Sequence, residues 1–393
     1  MKVGILDHLS TRLGGSQLVV ACIASALSRR ARVDIIHTGR GYRLATLAAA
    51  FEVDLGRVNE RVVDRVPHSF ARSLRAEFGE GRRFDRLLTE HYDLFIYSGH
   101  GVPPYSWAAR AMAYCHFPFE ASPVLTAESD PRWPDRTSLD RWLRRRIYQR
   151  RWRSRLQGYG DVLANSRFTA AWIEKLWGVP ARVLYPPVTA AGPPGHRQNV
   201  IASLGRFVHS DRKNTAAQID AFARVRGRLG GEWRLVMMGF CADLEEDREA
   251  LERLRRLAAG LPVVFLVNAP RREILAQLAA AKIFWHTAAL EALGSTEPRY
   301  MEHFGIATVE AMQLGCVPIV PAGGGQPEIV EHGISGFLCE HFDALERHTA
   351  ELAGDDPRWC TMSQAATRRG GRFGSEAFER CLEALMADSS GPR

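Results

Sequence analysis

The sequence predicts an α/β protein of two doubly wound domains, each a parallel sheet with helices on both faces. Three observations carry that prediction. At 393 residues the chain exceeds what one ordinary core organises, and two domains of about 200 residues are the natural division. Short apolar runs of strand character alternate with longer helical stretches through both halves. Between the halves lies the Pro/Gly-rich passage Pro186 to Gly195, a linker by composition.

In chain order, the first half offers strands at Val3 to Asp7, Val33 to His37, Leu94 to Ser98, Met112 to His116, Val162 to Ala164 and Val183 to Tyr185. Strands that alternate with helices pair in parallel through right-handed crossovers. Asn165 or Ser166 is placed to cap the helix that follows. After the linker the rhythm restarts at Val200 to Leu204, Leu235 to Met238, Val263 to Val267, Ile283 to Trp285 and Val317 to Val320, and a last helix is expected over Glu376 to Met386. The division is therefore 1–188, a linker at 189–198, a second domain at 199–372 and a terminal segment at 373–393. Two such domains make a cleft, with ligands expected at the carboxyl ends of the strands.

The net charge of +8 fits anionic partners without identifying one. Nearly all of the positive charge is arginine: 48 Arg stand against four Lys, at positions 2, 175, 213 and 282, so each lysine is worth examining. Seven cysteines with no Cys-x-x-Cys pair argue against a disulfide framework or a zinc site, and Cys115 and Cys316 read as small core residues. No apolar run approaches the roughly 20 residues that span a bilayer, and Met1 to Leu6 reads as a first strand, so a cytoplasmic protein is expected. Eight arginines between Arg141 and Arg155 are interleaved with Trp142, Tyr148 and Trp152. Their poor segregation on a helical wheel leaves a solvated helix and a peripheral contact with an anionic membrane as open alternatives. No nucleic-acid motif accompanies them.

The chemistry-bearing residues fall at strand ends. Glu302 and Glu310 flank the Phe304-Gly305-Ile306 turn, where a helix is predicted to start near Phe304. The unpaired N–H groups of such a helix start can hold a phosphate or a sugar hydroxyl. A capping Glu followed by a solvated face is the ordinary alternative. Gly323-Gly-Gly-Gln-Pro-Glu328 then opens a further helix. Leu204-Gly-Arg206-Phe followed by Lys213 supplies a guanidinium fork and a compact ammonium, which suit a diphosphate. Arg212 stands ready as a substitute for Lys213. Gly14 and Gly15, after Arg12-Leu, let the backbone approach a phosphate or an acceptor, or simply form a turn. His116 ends a strand where the cleft should open; a structural histidine is the commoner case there.

These elements together resemble the retaining glycosyltransferases of family 4. Glu302-His-Phe-Gly-x-x-x-x-Glu310-Ala-Met is similar to that family's donor-site signature, and the Met-Glu-His-Phe-Gly-Ile spelling is similar to the branch of GDP-mannose:glycolipid α-1,2-mannosyltransferases and their bacterial relatives. The resemblance implies a GT-B fold, with two Rossmann-like domains facing across a cleft and the terminal helix crossing back to the first. It implies that Glu302 faces the donor sugar, Glu310 holds the ribose and His116 lies near the sugar's 6-position. Arg206 and Lys213 would grip the pyrophosphate, Gly14 and Gly15 would touch phosphate and acceptor, and the Val267-Asn268-Ala-Pro270 loop would pack on the base. His116, Glu302, Arg206 and Lys213 are thus the catalytic candidates. Gly14, Gly15, Arg206, Lys213, Asn268, Phe304, Gly305, Ile306 and Glu310 are the donor-binding candidates.

No Asp-x-Asp pair is present, so no metal is assigned, and no cofactor beyond a nucleotide-sugar co-substrate is implied. The best donor is GDP-mannose, with UDP- and dTDP-sugars as alternatives. The acceptor is a glycan, a lipid-linked species or a small molecule, and the site of action is the cytoplasm or the inner face of the plasma membrane. A phosphorylase, an epimerase and a silent nucleotide-sugar binder are the rival readings.

Overall fold

The computed structural model describes residues 1–8, 13–39, 42–63, 81–118, 153–190, 196–208, 213–293 and 298–388. The chain divides into two compact units, Met1–Pro187 with Phe378–Arg393, and Val188–Ala377.

The first unit is built on one parallel sheet of seven strands. Its elements are β1 (Lys2–Asp7), α1 (Gly15–Ser28), β2 (Arg32–His37), α2 (Leu44–Phe51), β3 (Val58–Val62), α3 (Arg82–Thr89), β4 (Leu94–Gly99), β5 (Arg110–Cys115), β6 (Asp161–Ala164), α4 (Arg167–Trp177) and β7 (Arg182–Val183). The strand order is β3-β2-β1-β4-β5-β6-β7. β1, β2, β4 and β5 are buried along almost their whole length, which is why they read as continuous apolar runs rather than alternating ones. Ser166 caps α4 by accepting from the Thr169 N–H at 3.0 Å, and Asn165 instead donates to the His116 carbonyl at 2.9 Å.

The chain's last described helix lies on this unit. Phe378, Leu382 and Leu385 enter the core of Val3, Ile5, Val19 and Ile23. Arg110 donates to the Leu385 and Met386 carbonyls at 3.1 and 3.0 Å, satisfying two acceptors that the helix end leaves open.

The second unit repeats the plan with six parallel strands. It comprises β8 (Gln198–Arg206), α5 (Thr215–Val225), β9 (Arg234–Phe240), α6 (Glu245–Leu257), β10 (Val263–Val267), α7 (Arg271–Ala280), β11 (Ala281–Trp285), α8 (Ile306–Gln313), β12 (Val317–Pro321), α9 (Gln326–Ile329), β13 (Phe337–Cys339), α10 (Phe342–Ala353) and α11 (Asp356–Gly371). The last helix, α12 (Ser375–Asp388), leads back to the first unit. The order β10-β9-β8-β11-β12-β13 puts β8 between β9 and β11. Strand order reverses there, and the crevice at such a switch point is where doubly wound sheets hold ligands. Both units are therefore Rossmann-like, and Cys115 and Cys316 are buried core residues.

Two details depart from the sequence reading. α8 starts at Ile306, two residues later than expected, because Gly305 holds φ +123°, outside the helical region. β3 and β13 were not foreseen. β3 is an edge strand with Asn59 and Glu60 exposed, and β13 has only three residues, so neither makes an apolar run.

Candidate active site

The polar residues of the second unit converge at the β8/β11 switch point. β8 ends at the exposed Arg206. The chain returns at Lys213, whose aliphatic stem crosses Gly205: a Cβ at Gly205 would lie 3.3 Å from the Lys213 Cγ. β11 ends at Trp285, so His286 and Thr287 follow directly at the neighbouring strand end. The Thr287 hydroxyl donates to the Lys213 carbonyl at 2.6 Å and accepts from the Gln218 amide of α5 at 2.6 Å. This bolt fixes the backbone of Lys213 against the segment that carries His286.

Three side chains then meet. The Lys213 Nζ donates to Glu302 Oε2 at 2.5 Å, and His286 Nε2 lies 2.9 Å from that Nζ and 2.8 Å from the same carboxylate oxygen. A glycine turn brings Glu302 there. The Gly325 N–H donates to the Glu302 carbonyl at 2.8 Å. At Gly324, with φ +66°, any Cβ would collide with that carbonyl oxygen, and at Gly325 one would strike the His303 carbonyl oxygen. Gly324 and Gly325 thus allow backbone to lie on backbone, which positions Glu302 ahead of α8.

Glu310 lies in the second turn of α8, buried, and pairs with Arg271 at 2.7 Å. Arg271 opens α7 just after the Asn268-Ala-Pro loop. The Asn268 amide is spent on that loop's own geometry: it accepts from the Cys241 N–H at 2.9 Å and donates to the Cys241 carbonyl at 3.0 Å, tying the β9 exit to the β10 exit. The ring of Phe304 is buried, edge-on to Phe373 at 5.5 Å between centroids. Any ligand contact at these two positions falls to the backbone. Beside the α8 start, Gln326 is fully buried with both amide atoms unpartnered, its amide against Gly305.

The two carboxylates are perturbed in opposite directions. Burial alone would raise Glu302, but the Lys213 ammonium and His286 outweigh it and hold the carboxyl well below the usual range. Burial raises Glu310, and the Arg271 guanidinium offsets this only in part. His286 is lowered, by burial first and by the Lys213 charge second, against a smaller pull from Glu302. In the free protein the trio is therefore an ammonium, a carboxylate and a neutral imidazole.

The first unit holds the other candidates. Gly14 caps α1 and Gly15 begins it, at the carboxyl side of β1, which sits between β2 and β4 at that sheet's own switch point. Arg12 lies outside the described residues, as do Arg212 and residues 141–152 of the arginine-rich stretch. His116 follows β5, buried, with Nε2 2.9 Å from the Ser98 hydroxyl and its ring 5.6 Å from that of His100. Burial pushes His100 down to about 4, against its bond to the Phe117 carbonyl. The structure thus brings together Lys213, Glu302 and the α8 start, with Arg206 at the end of the same β8 strand. The sequence reading overlooked His286 and Arg271, whose partnerships cross the sheet.

Comparison with known proteins agrees with this architecture. Residues 13–191 match the family Glycosyltransferase Family 4, and residues 190–369 match Glycosyl transferases group 1. HepE of Anabaena, solved with UDP and glucose, superposes with a TM-score of 0.67 over 99% of this chain and 100% of that one, at 18% identity. WaaG, a glycosyltransferase involved in lipopolysaccharide biosynthesis, gives 0.65 at 15% identity, over 98% of this chain and 99% of its own. The fold is GT-B. The chain belongs to the family 4 glycosyltransferases, its second unit carrying the group 1 domain.

Among curated proteins, the GDP-Man:Man(3)GlcNAc(2)-PP-Dol alpha-1,2-mannosyltransferase of Mus musculus is 33% identical over 244 residues, 56% of this chain and 46% of that protein. The same enzyme of Xenopus laevis is 29% identical over 239 residues, with the same coverage. An alpha-1,3/1,6-mannosyltransferase of Mus musculus is 25% identical over 339 residues, 77% of this chain and 72% of its own. The chain spans about half the length of the first of these relatives.

Proposed function

We propose that the chain is a retaining, metal-independent hexosyltransferase that takes mannose from GDP-mannose and delivers it to a glycan or lipid-linked acceptor. The observation that carries this reading is the Lys213–His286–Glu302 cluster at the β8/β11 switch point, ahead of the α8 N-terminus. The likeness to GDP-mannose enzymes supports the choice of donor.

In this reading Arg206, Lys213 and the N–H groups that open α8 neutralise the diphosphate as the glycosidic bond breaks, and such preorganised charge supplies most of the catalysis. Glu302 orients the sugar. A carboxylate oxygen engaged by both Lys213 at 2.5 Å and His286 at 2.8 Å is a poor nucleophile, so Glu302 is not assigned a covalent role. Retention then follows from front-face attack: the acceptor oxygen bonds to the anomeric carbon on the side the diphosphate leaves, and the departing phosphate oxygen takes the acceptor's proton. Glu310 accepts from the ribose hydroxyls, the Asn268 loop faces the base, and His116 and the Gly14–Gly15 backbone serve sugar, phosphate and acceptor from the first unit. No helix of the described residues is long and apolar enough to cross a membrane. We assign the enzyme to the cytoplasm, held peripherally at the inner face of the plasma membrane through the arginines of 141–155.

The test is a thermal-shift series with GDP, UDP, dTDP and ADP. A nucleotide at 100 times its Kd stabilises by about 2.7 kcal/mol, and GDP is expected to give the largest shift. Stabilisation by UDP with none by GDP overturns the donor assignment. GDP-mannose turnover that yields the β-anomer overturns retention.

A further inference from the structure

The proposed roles leave His286 unused, yet its side chain is the most buried of the three, 2% exposed against 30% for Lys213 and 26% for Glu302. One atom, Nε2, stands 2.9 Å from the Lys213 ammonium and 2.8 Å from the Glu302 carboxylate. It cannot accept from the first and donate to the second together. The other ring nitrogen, Nδ1, is buried with no hydrogen-bond partner. In the free protein Lys213 already neutralises Glu302 at 2.5 Å, so the imidazole is redundant there.

The same Lys213 is the ammonium assigned to the donor diphosphate. Its carbonyl is bolted to Thr287, so only the side chain is free to swing, across the flat of Gly205. When it does, Glu302 loses its cation as an anionic group arrives. From the geometry we propose that His286 is a positioning residue that takes over Glu302 when Lys213 turns to the diphosphate, gaining a proton from solvent and donating through Nε2.

The charges favour this exchange. Lys213, reaching back from the start of α5, and Glu302, from the segment before α8, are the charged groups that act on the ring among the described residues. The first disfavours the imidazolium and the second favours it. Engagement of the ammonium by a dianion removes the opposing influence and leaves the favourable one. Protonation adds no new unsatisfied atom, since the buried Nδ1 lacks a partner whichever ring nitrogen carries the proton in the neutral form. The departing ammonium is thus replaced by an imidazolium, and Glu302 keeps both its charge and its orientation during transfer.

This inference rests on the donor reading above, and the experiment separates the two. Isothermal titration of the full chain with GDP-mannose is run at pH 7 in two buffers of different ionisation enthalpy. The diphosphate of this donor is esterified at both ends and exchanges no proton near neutrality. Wild type is expected to take up about one proton on binding, with the uptake declining above the bound-state pKa of the ring. H286Q retains a donor near Nε2 but cannot titrate, and is expected to bind the donor with no uptake. A purely structural histidine would alter affinity or stability without moving the proton count. Binding without uptake by wild type, or equal uptake by H286Q, overturns the inference while the donor reading stands. Failure of GDP-mannose to bind, alongside stabilisation by another nucleotide or by none, overturns the donor reading and the inference with it.

Discussion

Replacing Glu302 by glutamine keeps the shape of the side chain and removes its charge, leaving Lys213 with an amide and a neutral imidazole. The two side chains of the pair are 30% and 26% exposed, between a surface pair and a buried one. Exposed pairs contribute roughly 0–1 kcal/mol, while breaking a fully buried pair costs roughly 3–5. A loss of about 1–3 kcal/mol at neutral pH follows. A unit of this size loses roughly 2–4 °C of Tm for each kcal/mol, so calorimetry on the nucleotide-free protein should resolve it. The pH dependence identifies the source. Because the folded carboxyl is held below its unfolded value, its contribution is complete above about pH 4.3 and is lost as the pH falls through the depressed folded pKa. The gap between wild type and E302Q should therefore persist from neutrality down to about pH 5, widening where His286 titrates without the carboxylate that favours its charge, and close below that. His286, also held low, makes both proteins less stable below about pH 6.5, so the gap and not the slope is diagnostic. An E302Q protein as stable as wild type at pH 7, or a gap that persists in strong acid, would refute a stabilising ion pair.

Glu310→Gln is expected to weaken GDP binding by roughly 1.5–3 kcal/mol, the range for hydrogen bonds to a charged group. Since burial raises the wild-type carboxyl, GDP affinity should fall as the pH drops toward that raised pKa in wild type but not in the variant, and titration at several pH values checks both. Lys213→Ala should lower kcat more than it raises the donor Kd, because charge grows on the diphosphate as the bond breaks; equal losses with kcat intact would make Lys213 a ground-state binder. Turnover should survive EDTA, and complete loss restored by manganese would defeat the metal-free mechanism. Co-sedimentation with anionic vesicles should occur at low salt and fade at high salt, since each surface cation contributes about 1 kcal/mol over a Debye length of roughly 8 Å. No binding at low salt would return residues 141–155 to a solvated face.

Much of the fold was legible because buried parallel strands spell themselves as apolar runs. β1, β2, β4 and β5 fall within a residue or two of their expected spans, as do β8 to β12. What failed to show was what lacks such a run. β3 is a largely exposed edge strand and β13 is too short. The Phe304-Gly305-Ile306 turn was legible, but not where α8 begins within it: the Phe304 ring serves the core against Phe373 and Gly305 needs positive φ, so the helix starts at Ile306.

At the site, local spacing revealed some groups and hid others. Glu302 and Glu310 announce themselves by flanking a turn, and Lys213 by its rarity in an arginine-rich chain. His286 has no such mark. It follows an ordinary apolar strand, and its partner Lys213 lies 73 residues away. Only the placement of β11 beside β8, across the point where strand order reverses, brings the two together. Arg271 was hidden in the same way, since its link to Glu310 joins the exit of β10 to the helix after β11.

That crossing of the sheet also explains why the two carboxylates behave differently. Glu302 reaches toward the strand ends, where an ammonium and an imidazole from two different connections outweigh its burial, so it keeps its charge further into acid than an ordinary carboxyl. Glu310 points from within a helix to a single guanidinium, which does not fully offset desolvation, so its charge is the more readily lost. Groups whose surroundings push their pKa values apart are suited to separate tasks. A carboxylate that keeps its charge suits a step in which charge must be held steady while the diphosphate leaves. One whose charge is costly in the free protein gains most from a ligand that donates two hydrogen bonds to it, as a ribose diol does. The division of labour proposed for Glu302 and Glu310 thus follows from which elements carry their partners, and those partners are set by strand order rather than by anything near the two residues in sequence.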